Sequence, residues 1–151
     1  MTTASPTEIR RARIADAAEI TRLADELGYT TSAVEMTRRL TVLLSDARHY
    51  VAVVASGDRL LAWMHVEHRC SIERGDRAEL MGLVVDSSAR RRGIGRELVD
   101  VAEKWALAQR LPSLTVRSNT ARAQSHPFYE SLGYSRTKTQ HVYTKAIAVP
   151  A

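Results

Sequence analysis

The sequence has one cysteine, few aromatic residues and no long apolar run. Each of these features argues against one class of protein. Cys70 is the single cysteine among 151 residues, so no internal disulfide can form, which fits a reducing cytoplasm. No run of about 18 apolar residues occurs, so we expect no membrane-spanning helix. The first residues lack the charged and then apolar order of a secretory signal. We therefore expect a cytoplasmic protein with no membrane partner.

The composition is that of an ordinary globular chain, with 44% hydrophobic and 26% charged residues. Its length suits one domain with a hydrophobic core, residues 1–151. A net charge of +5 is compatible with nucleic-acid binding. However, four arginines between residues 90 and 96 supply most of that surplus, and only 5% of the residues are aromatic. The chain also lacks a basic tail and zinc-finger spacing, so we expect neither a nucleic-acid partner nor a metal.

Residues 90–95 read Arg-Arg-Arg-Gly-Ile-Gly, between an apolar run at 80–85 and a helix-like run at 96–110. A strand, a glycine turn and a helix N-terminus together present free N–H groups and partial positive charge to a phosphate. Glycine lets the backbone approach the anion, and arginine side chains fork onto its oxygens. The segment therefore predicts a pyrophosphate site formed by Arg90, Arg91, Arg92, Gly93, Ile94, Gly95 and Arg96.

Two common nucleotide motifs do not match this turn. The P-loop requires Lys-Ser or Lys-Thr after its second glycine, whereas Arg96 and Glu97 follow Gly95. The dinucleotide fingerprint requires a third glycine at the position of Leu98. The pattern that remains is Arg-x-x-Gly-x-Gly.

A second segment, residues 117–134, reads Arg-Ser-Asn-Thr-Ala-Arg-Ala-Gln-Ser-His-Pro-Phe-Tyr-Glu-Ser-Leu-Gly-Tyr. Together with the glycine turn it resembles the GNAT superfamily of acyl-CoA-dependent N-acyltransferases. The likeness covers residues 76–146 well and residues 1–75 by general layout. It implies acetyl-CoA as cosubstrate, with its pyrophosphate on the turn, and a homodimer by family analogy.

Hydrophobic periodicity predicts the order β-α-α-β-β-β-α-β-α-β-β. Asp16 and Ser32 are the candidate N-caps of the first two helices, and the last two strands are expected at 134–140 and 142–147. The resemblance implies an α/β (α+β) GNAT fold. Its central sheet is mixed, mostly antiparallel and six- to seven-stranded, with splayed central strands flanked by about four helices.

The resemblance also implies roles for individual residues. The pantetheine arm would pair with the backbone of Leu83, Val84 and Val85. The Leu83 N–H would stabilise the tetrahedral oxyanion, an effect of about 3 kcal/mol per donor. Tyr129 would lie near the sulfur and protonate the thiolate, since a phenol has a pKa near 10.

For the base, the candidate is Glu79, with a pKa raised by burial. A glutamate on a strand face, paired with Arg77 or a neighbour, is the alternative. Other family members carry a glutamate at the position of Met81. His65 and His68 lie on the preceding strand and on opposite faces, so at most one faces the acceptor.

The family's asparagine falls at Arg122 in this chain, and Asn119 comes three residues earlier. An amide suits pantetheine better than a guanidinium does, so Asn119 is favoured as the cofactor contact. Arg122 would then face the nucleotide phosphates.

These features lead to an acetyl-CoA-dependent N-acetyltransferase that acts on a primary amine of a small molecule, with aminoglycosides and polyamines as candidates. No cysteine or serine lies in a nucleophile motif, which favours direct attack in a ternary complex. A protein lysine or N-terminal acetyltransferase and a non-catalytic CoA-sensing module are the alternatives.

Overall fold

The computed structural model describes residues 6–117 and 125–150. The chain divides into two compact units, Met1–Arg117 and Ser118–Ala151. No helix in the described ranges is long and apolar enough to cross a membrane. Within these ranges the strands are β1 (Thr7–Arg11), β2 (His49–Ser56), β3 (Arg59–Ser71), β4 (Gly75–Val85) and β5 (Leu114–Val116), and the helices are α1 (Ala17–Glu26), α2 (Ala33–Leu44), α3 (Ile94–Ala108) and α4 (Ser125–Ser131).

The first unit contains one sheet with the strand order β1-β2-β3-β4-β5. The first four strands are antiparallel neighbours, and β5 runs parallel to β4. Gly57 lies in the β2–β3 turn and Gly75 begins β4, with φ of 62° and 68°; glycine adopts positive φ without a steric penalty. The mixed, mostly antiparallel sheet and the four helices of the described residues confirm the predicted fold class.

The described chain contains five strands where six or seven were expected. Residues 134–147 are not strands, so the two predicted closing strands are a wrong prediction. Val142, Tyr143 and Ile147 in this segment are exposed. A strand requires a neighbour that accepts and donates its backbone hydrogen bonds. The described part of the second unit provides no strand for this segment to pair with.

Helices cover both faces of the sheet. Ile20 and Leu23 of α1 form one buried cluster with Val51 and Val53 of β2. The alternate residues of β2 point to the other face, where Tyr50 stacks on Trp105 of α3, with ring centroids 6.3 Å apart. The first unit is therefore a three-layer arrangement, with α1 and α2 on one face and α3 on the other.

The two predicted N-caps have different outcomes. Ser32 Oγ accepts a hydrogen bond from Glu35 N at 3.1 Å, so it caps α2 as predicted. Asp16 is at the N-terminus of α1, but its carboxylate accepts from Arg13 N and from the Arg10 guanidinium, each at 2.8 Å. Asp16 therefore ties β1 to the helix rather than capping the helix amides.

Candidate active site

The predicted phosphate turn lies between β4 and α3. Arg91 and Gly93 have left-handed φ values of 69° and 76°, and α3 begins at Ile94 directly after Gly93. Among residues 6–117 and 125–150 no side chain caps this helix, and its first amides have no partner within the helix. A Cβ on Gly93 would meet no atom within 4 Å. The turn is therefore open to a ligand, and its donors fit an anion.

Four arginines surround this turn, and all four are exposed: Arg90, Arg91, Arg92 and Arg96. The hydrogen bond from Arg92 Nη2 to Ser88 O is long, at 3.5 Å. Their guanidinium groups are therefore available to phosphate oxygens. The donor set matches a pyrophosphate, since backbone amides and arginines both favour doubly negative groups.

Asp86 connects this turn to the rest of the sheet, a role that was missed in the sequence. One oxygen accepts from Arg22 Nη1 at 2.9 Å and from Arg59 Nη2 at 3.0 Å. The other accepts from Ser88 N and Ser88 Oγ, at 2.9 and 2.7 Å. Burial raises the pKa of the Asp86 carboxyl, but these hydrogen bonds outweigh it and hold the pKa well below its usual range. The Asp-Ser-Ser triplet directly after an apolar strand was the available signal.

The β4–β5 pair opens beyond Leu80. The parallel ladder covers Ala78–Leu80 and Leu114–Val116. The register of β4 against β3 shifts at the same point, since Val66 pairs with Leu80 and His65 pairs with Gly82. Met81 is therefore an extra residue, a β-bulge, and bulges bend the strand that contains them. Residues 82–85 have no β5 partner in the described part of the chain, so the splay that the resemblance implied is present.

The bulge also determines where the Leu83 N–H points. Ala78 N donates to Ser113 O at 3.0 Å, on the β5 side, and Asp86 N donates to Leu61 O at 2.7 Å, on the β3 side. Backbone N–H groups alternate along a strand. Counting back from Asp86, the N–H groups of Leu83 and Val85 therefore face the open β5 edge. Without the extra residue at Met81 they would face β3.

Glu79 lies on β4 before the bulge and is 1% exposed. Its Oε2 accepts from Arg69 Nη1 at 2.9 Å, and its Oε1 accepts from Arg117 Nε. Burial raises the pKa of the Glu79 carboxyl, but the two arginines outweigh it, and the pKa lies below its usual value. The expectation of a raised pKa was therefore wrong. The expected alternative of an ion pair is present, with Arg69 and Arg117 rather than Arg77.

The two histidines of β3 lie on opposite faces, as the alternation predicted. His65 pairs in register with Gly82, and its Nε2 is 3.0 Å from His49 Nδ1. Burial, together with the charge of His49, lowers the pKa of His65 to about 4. His68 is bonded to the exposed Asp76 at 2.8 Å. Only His65 therefore shares the face of the sheet that carries Glu79.

The second unit contains Tyr129, in α4. Its ring lies edge-on to Phe128 and to Tyr134, with centroids 4.9 and 6.1 Å apart. Gly133, with φ of 93°, follows the helix, and Tyr134 N donates to Tyr129 O at 3.1 Å. The two predicted cofactor contacts Asn119 and Arg122 lie outside the described residues. The predicted roles of Tyr129, Asn119 and Arg122 stay predictions.

Residues 15–134, which begin two residues before α1 and end three residues after α4, match the sequence model of the Acetyltransferase (GNAT) family. The chain belongs to the GNAT acetyltransferase family. This confirms the predicted family and the assignment of the protein as an acetyltransferase enzyme. A search of curated proteins found no significant match.

Solved GNAT structures share this fold. Aminoglycoside N-acetyltransferase AAC(6')-Iy in complex with CoA has a TM-score of 0.85 at 15% identity, covering 96% of this chain and 98% of its own. Glucosamine-6-phosphate N-acetyltransferase from Arabidopsis thaliana has a TM-score of 0.80 at 20% identity, covering 92% and 98%. Aminoglycoside antibiotic 6'-N-acetyltransferase AAC(6')-IG from Acinetobacter haemolyticus has a TM-score of 0.80 at 21% identity, covering 93% and 99%.

Among the described residues, no group of three or more His, Cys, Asp or Glu side chains is placed to hold a metal ion. The expectation of metal-free chemistry stays a prediction.

Proposed function

We propose that this GNAT protein is an acetyl-CoA-dependent N-acetyltransferase that moves the acetyl group to a primary amine of a small molecule. The observation that carries the proposal is the open edge of β4, which begins at the Met81 bulge and leads directly into the phosphate turn. An extended arm can add to an open strand edge through backbone hydrogen bonds. The CoA complex of AAC(6')-Iy, which has the same fold, supports this cofactor.

In this proposal the turn binds the pyrophosphate through the first amides of α3 and through Arg90, Arg91, Arg92 and Arg96. The pantetheine arm follows Leu83, Val84 and Val85. Asn119 contacts the arm, and Arg122 faces the phosphates. Acetyl-CoA supplies the acetyl thioester, and the chain's own groups orient it.

The reaction requires one bond to form and one to break. The amine nitrogen attacks the thioester carbonyl carbon, and the Leu83 N–H donates to the oxygen as it gains negative charge. One such donor lowers the barrier by about 3 kcal/mol. The C–S bond then breaks, and the Tyr129 hydroxyl gives its proton to the departing thiolate. No covalent acyl-enzyme is formed.

The amine must lose a proton before or during attack. Glu79 is the candidate base, although both of its oxygens accept from arginines and its pKa is low. Each oxygen keeps a second lone pair, but the low pKa makes this carboxylate a weak base. Water and the neutral His65, which lies on the same face, are the second candidates.

A small-molecule acceptor is favoured over a protein lysine or N-terminal amine because the similar structures named above act on aminoglycosides or on glucosamine 6-phosphate. Aminoglycosides, polyamines and amino sugars are therefore the acceptor classes to test first. The protein acetyltransferase and the non-catalytic CoA sensor are the competing proposals. The homodimer, the cytoplasmic location, the single domain and the lack of a nucleic-acid partner stay proposals as well.

The test is acetyl-CoA-dependent release of the CoA thiol across pooled acceptors: aminoglycosides, polyamines, amino sugars, aryl amines and lysine peptides. Cys70 is exposed and reacts with thiol reagents, so an enzyme-only blank is subtracted. Turnover with a small-amine pool supports the proposal. Turnover with lysine peptides alone would replace it with the protein acetyltransferase. If CoA binds but no pool gives release of the CoA thiol, the CoA sensor would replace the transferase proposal.

A further inference from the structure

The Trp63 side chain extends from β3 across the face of β4. Trp63 pairs in register with Val84, so Gly82 is its diagonal neighbour on β4. Aromatic side chains can reach such a diagonal position. Gly82 has no side chain, and the indole fills the space above it, since a Cβ built on Gly82 would stand 2.7 Å from Cζ3 of the ring. An aromatic ring therefore lies where a β4 side chain would otherwise stand.

This position is next to the proposed reacting centre. Gly82 directly precedes Leu83, whose N–H faces the open β5 edge and is the proposed oxyanion donor. A strand advances about 3.3 Å per residue, so the ring is close to the level of the thioester carbonyl. The indole therefore forms one wall of the gap in which the thioester is proposed to lie.

The ring is oriented with its nitrogen inward. Trp63 packs against the apolar cluster that α1 and α2 form with the sheet, and its Nε1 atom is buried. The residue as a whole is nevertheless partly exposed, as are Gly82 and Leu83. The six-membered side of the ring, which carries Cζ3 and Cη2, is therefore the part that a ligand in the gap can touch.

The face of the sheet that carries Trp63 is the one from which an acceptor can approach. The helix α3 lies on the other face, and the phosphates of the cofactor are proposed to bind at its N-terminus. On the Trp63 face, α1 and α2 cover Val51, Val53 and Val84 but leave His65 partly exposed. An amine therefore reaches the thioester by passing Trp63 and His65.

The group beside the ring is uncharged near neutral pH. His65 pairs in register with Gly82, and burial, together with the charge of His49, lowers the pKa of His65 to about 4. The strands place three carboxylates on this face, at Glu67, at Glu79 and, directly after β4, at Asp86. Each is three or four residues from Gly82 or Trp63, on the order of 10 Å along the strand. The indole is therefore an apolar surface without an adjacent charge.

We propose that Trp63 is a specificity-determining residue of the transferase and that the acceptor is an aromatic amine whose ring packs against the indole. The inference rests on the proposed transferase function. Aromatic rings attract each other in offset-stacked or edge-to-face arrangements, beyond the gain from burial alone. A primary amine on a short link to such a ring lies beside Leu83, where the thioester carbonyl is proposed. Polycations such as aminoglycosides and polyamines find no carboxylate next to the indole and are disfavoured.

The first experiment compares matched acceptors in the acetyl-CoA assay of the wild type. Benzylamine is compared with cyclohexylmethylamine, and 2-phenylethylamine with 2-cyclohexylethylamine, so that each pair contrasts an aromatic with a saturated ring. We expect kcat/KM to be about fivefold higher for the aromatic member of one pair or both, which corresponds to about 1 kcal/mol. The pair with the larger ratio gives the length of the link. Ratios near one in both pairs, or a higher kcat/KM for kanamycin or spermidine, would overturn the inference.

Substitutions of Trp63 show whether the ratio comes from the indole, because they leave the basicity of the acceptors unchanged. Trp63→Leu should bring the ratio toward one, whereas Trp63→Phe keeps an aromatic ring and should retain part of the preference. Trp105→Phe is the matched control, since Trp105 is the second of the two tryptophans and stacks on Tyr50 on the α3 face. Its ratio should equal that of the wild type. A full ratio in Trp63→Leu would contradict the assignment.

A binding measurement separates this inference from the proposed function, and it leaves Trp63 in place. In Trp105→Phe, Trp63 is the remaining tryptophan, so the protein's tryptophan fluorescence reports on this ring. With CoA saturating, benzylamine or 2-phenylethylamine should change the fluorescence saturably, at a lower concentration than its cyclohexyl counterpart. The fluorescence of Trp63→Phe, which comes from Trp105, should not respond.

The two proposals then fail in different ways. If the Trp63 fluorescence responds in this pattern while no amine is acetylated, the transferase proposal fails and the aromatic site stands. If amines are acetylated without an aromatic preference and without a fluorescence response, the aromatic site is wrong and the transferase stands.

Discussion

The Trp63 ring lies directly over Gly82. A Cβ built on Gly82 would stand 2.7 Å from Cζ3 and 2.8 Å from Cη2 of the indole. These distances are too short for any side chain, so the ring and the bulged strand can pack only with glycine at this position. The contact lies one residue before Leu83, whose N–H is the proposed oxyanion donor.

Gly82→Ala should destabilise the protein by about 1–3 kcal/mol, since an extra methyl group in a packed core displaces its neighbours. Urea unfolding measures the change. A smaller side chain in place of Trp63 should relieve it, so Trp63→Leu in the Gly82→Ala background should show a favourable coupling energy. If the losses of unfolding free energy in the two single variants simply add in the double variant, the ring does not restrict position 82.

Gly93→Val should abolish CoA binding, because a β-branched residue resists the left-handed φ of 76° from which α3 starts. Gly57→Val is the matched control. Its φ is 62°, and at both glycines a Cβ would meet no atom within 4 Å, so both variants strain the backbone alone. Calorimetric titration with CoA should detect binding only in the control. CoA binding by Gly93→Val would remove the turn as the phosphate site.

Glu79→Gln should cost stability near neutral pH and progressively less in acid. Because the folded pKa lies below the usual value, the ionised carboxylate contributes stability above the unfolded pKa of about 4.3, and that contribution is lost as the pH falls. Unfolding free energies of the wild type and the variant should therefore converge with decreasing pH. A difference that is constant across this range would mean that the charge is not involved.

The same variant tests the base. If Glu79 accepts the proton, the acidic limb of the wild-type kcat/KM profile lies below the ordinary carboxyl range and flattens in Glu79→Gln. If the acidic limb of the kcat/KM profile is unchanged in Glu79→Gln, the general base is water or His65 instead.

Asp86→Asn should weaken CoA binding roughly tenfold and lower stability by about 2 kcal/mol, since Arg22 and Arg59 lose the charge that holds the end of β4. Asp100→Asn, at an exposed ion pair with Lys104 on α3, is the control and should change neither value by much. If both variants bind CoA like the wild type, Asp86 is not needed to position the turn.

Tyr129→Phe should lower kcat by about a hundredfold and leave the acetyl-CoA affinity nearly intact, because only the acid's hydroxyl is removed. Tyr143→Phe, at a tyrosine that is 91% exposed, is the control. Steady-state kinetics with the best acceptor provides the comparison. A wild-type rate in Tyr129→Phe would exclude Tyr129 as the acid.

Patterns that span a few residues were sufficient for most elements and for the glycine turn between β4 and α3. The element order up to α4 and the Ser32 cap both follow from local sequence. The closing strands at 134–140 and 142–147 were predicted on the same local grounds and were wrong. Alternation shows that a segment can be a strand, but only a hydrogen-bonded neighbour makes it one.

The sequence by itself determined the family, the order of elements up to α4 and the place of the glycine turn before α3, because motifs, caps and periodicity act over a few residues. Tertiary structure alone decided the charge state of the site. Glu79 is 10 and 38 residues from its two arginines, and Asp86 is 64 and 27 residues from Arg22 and Arg59. A carboxyl's pKa depends on which charges surround it in space. Pairing across strands also decided the bulge at Met81, and with it the direction of the Leu83 N–H.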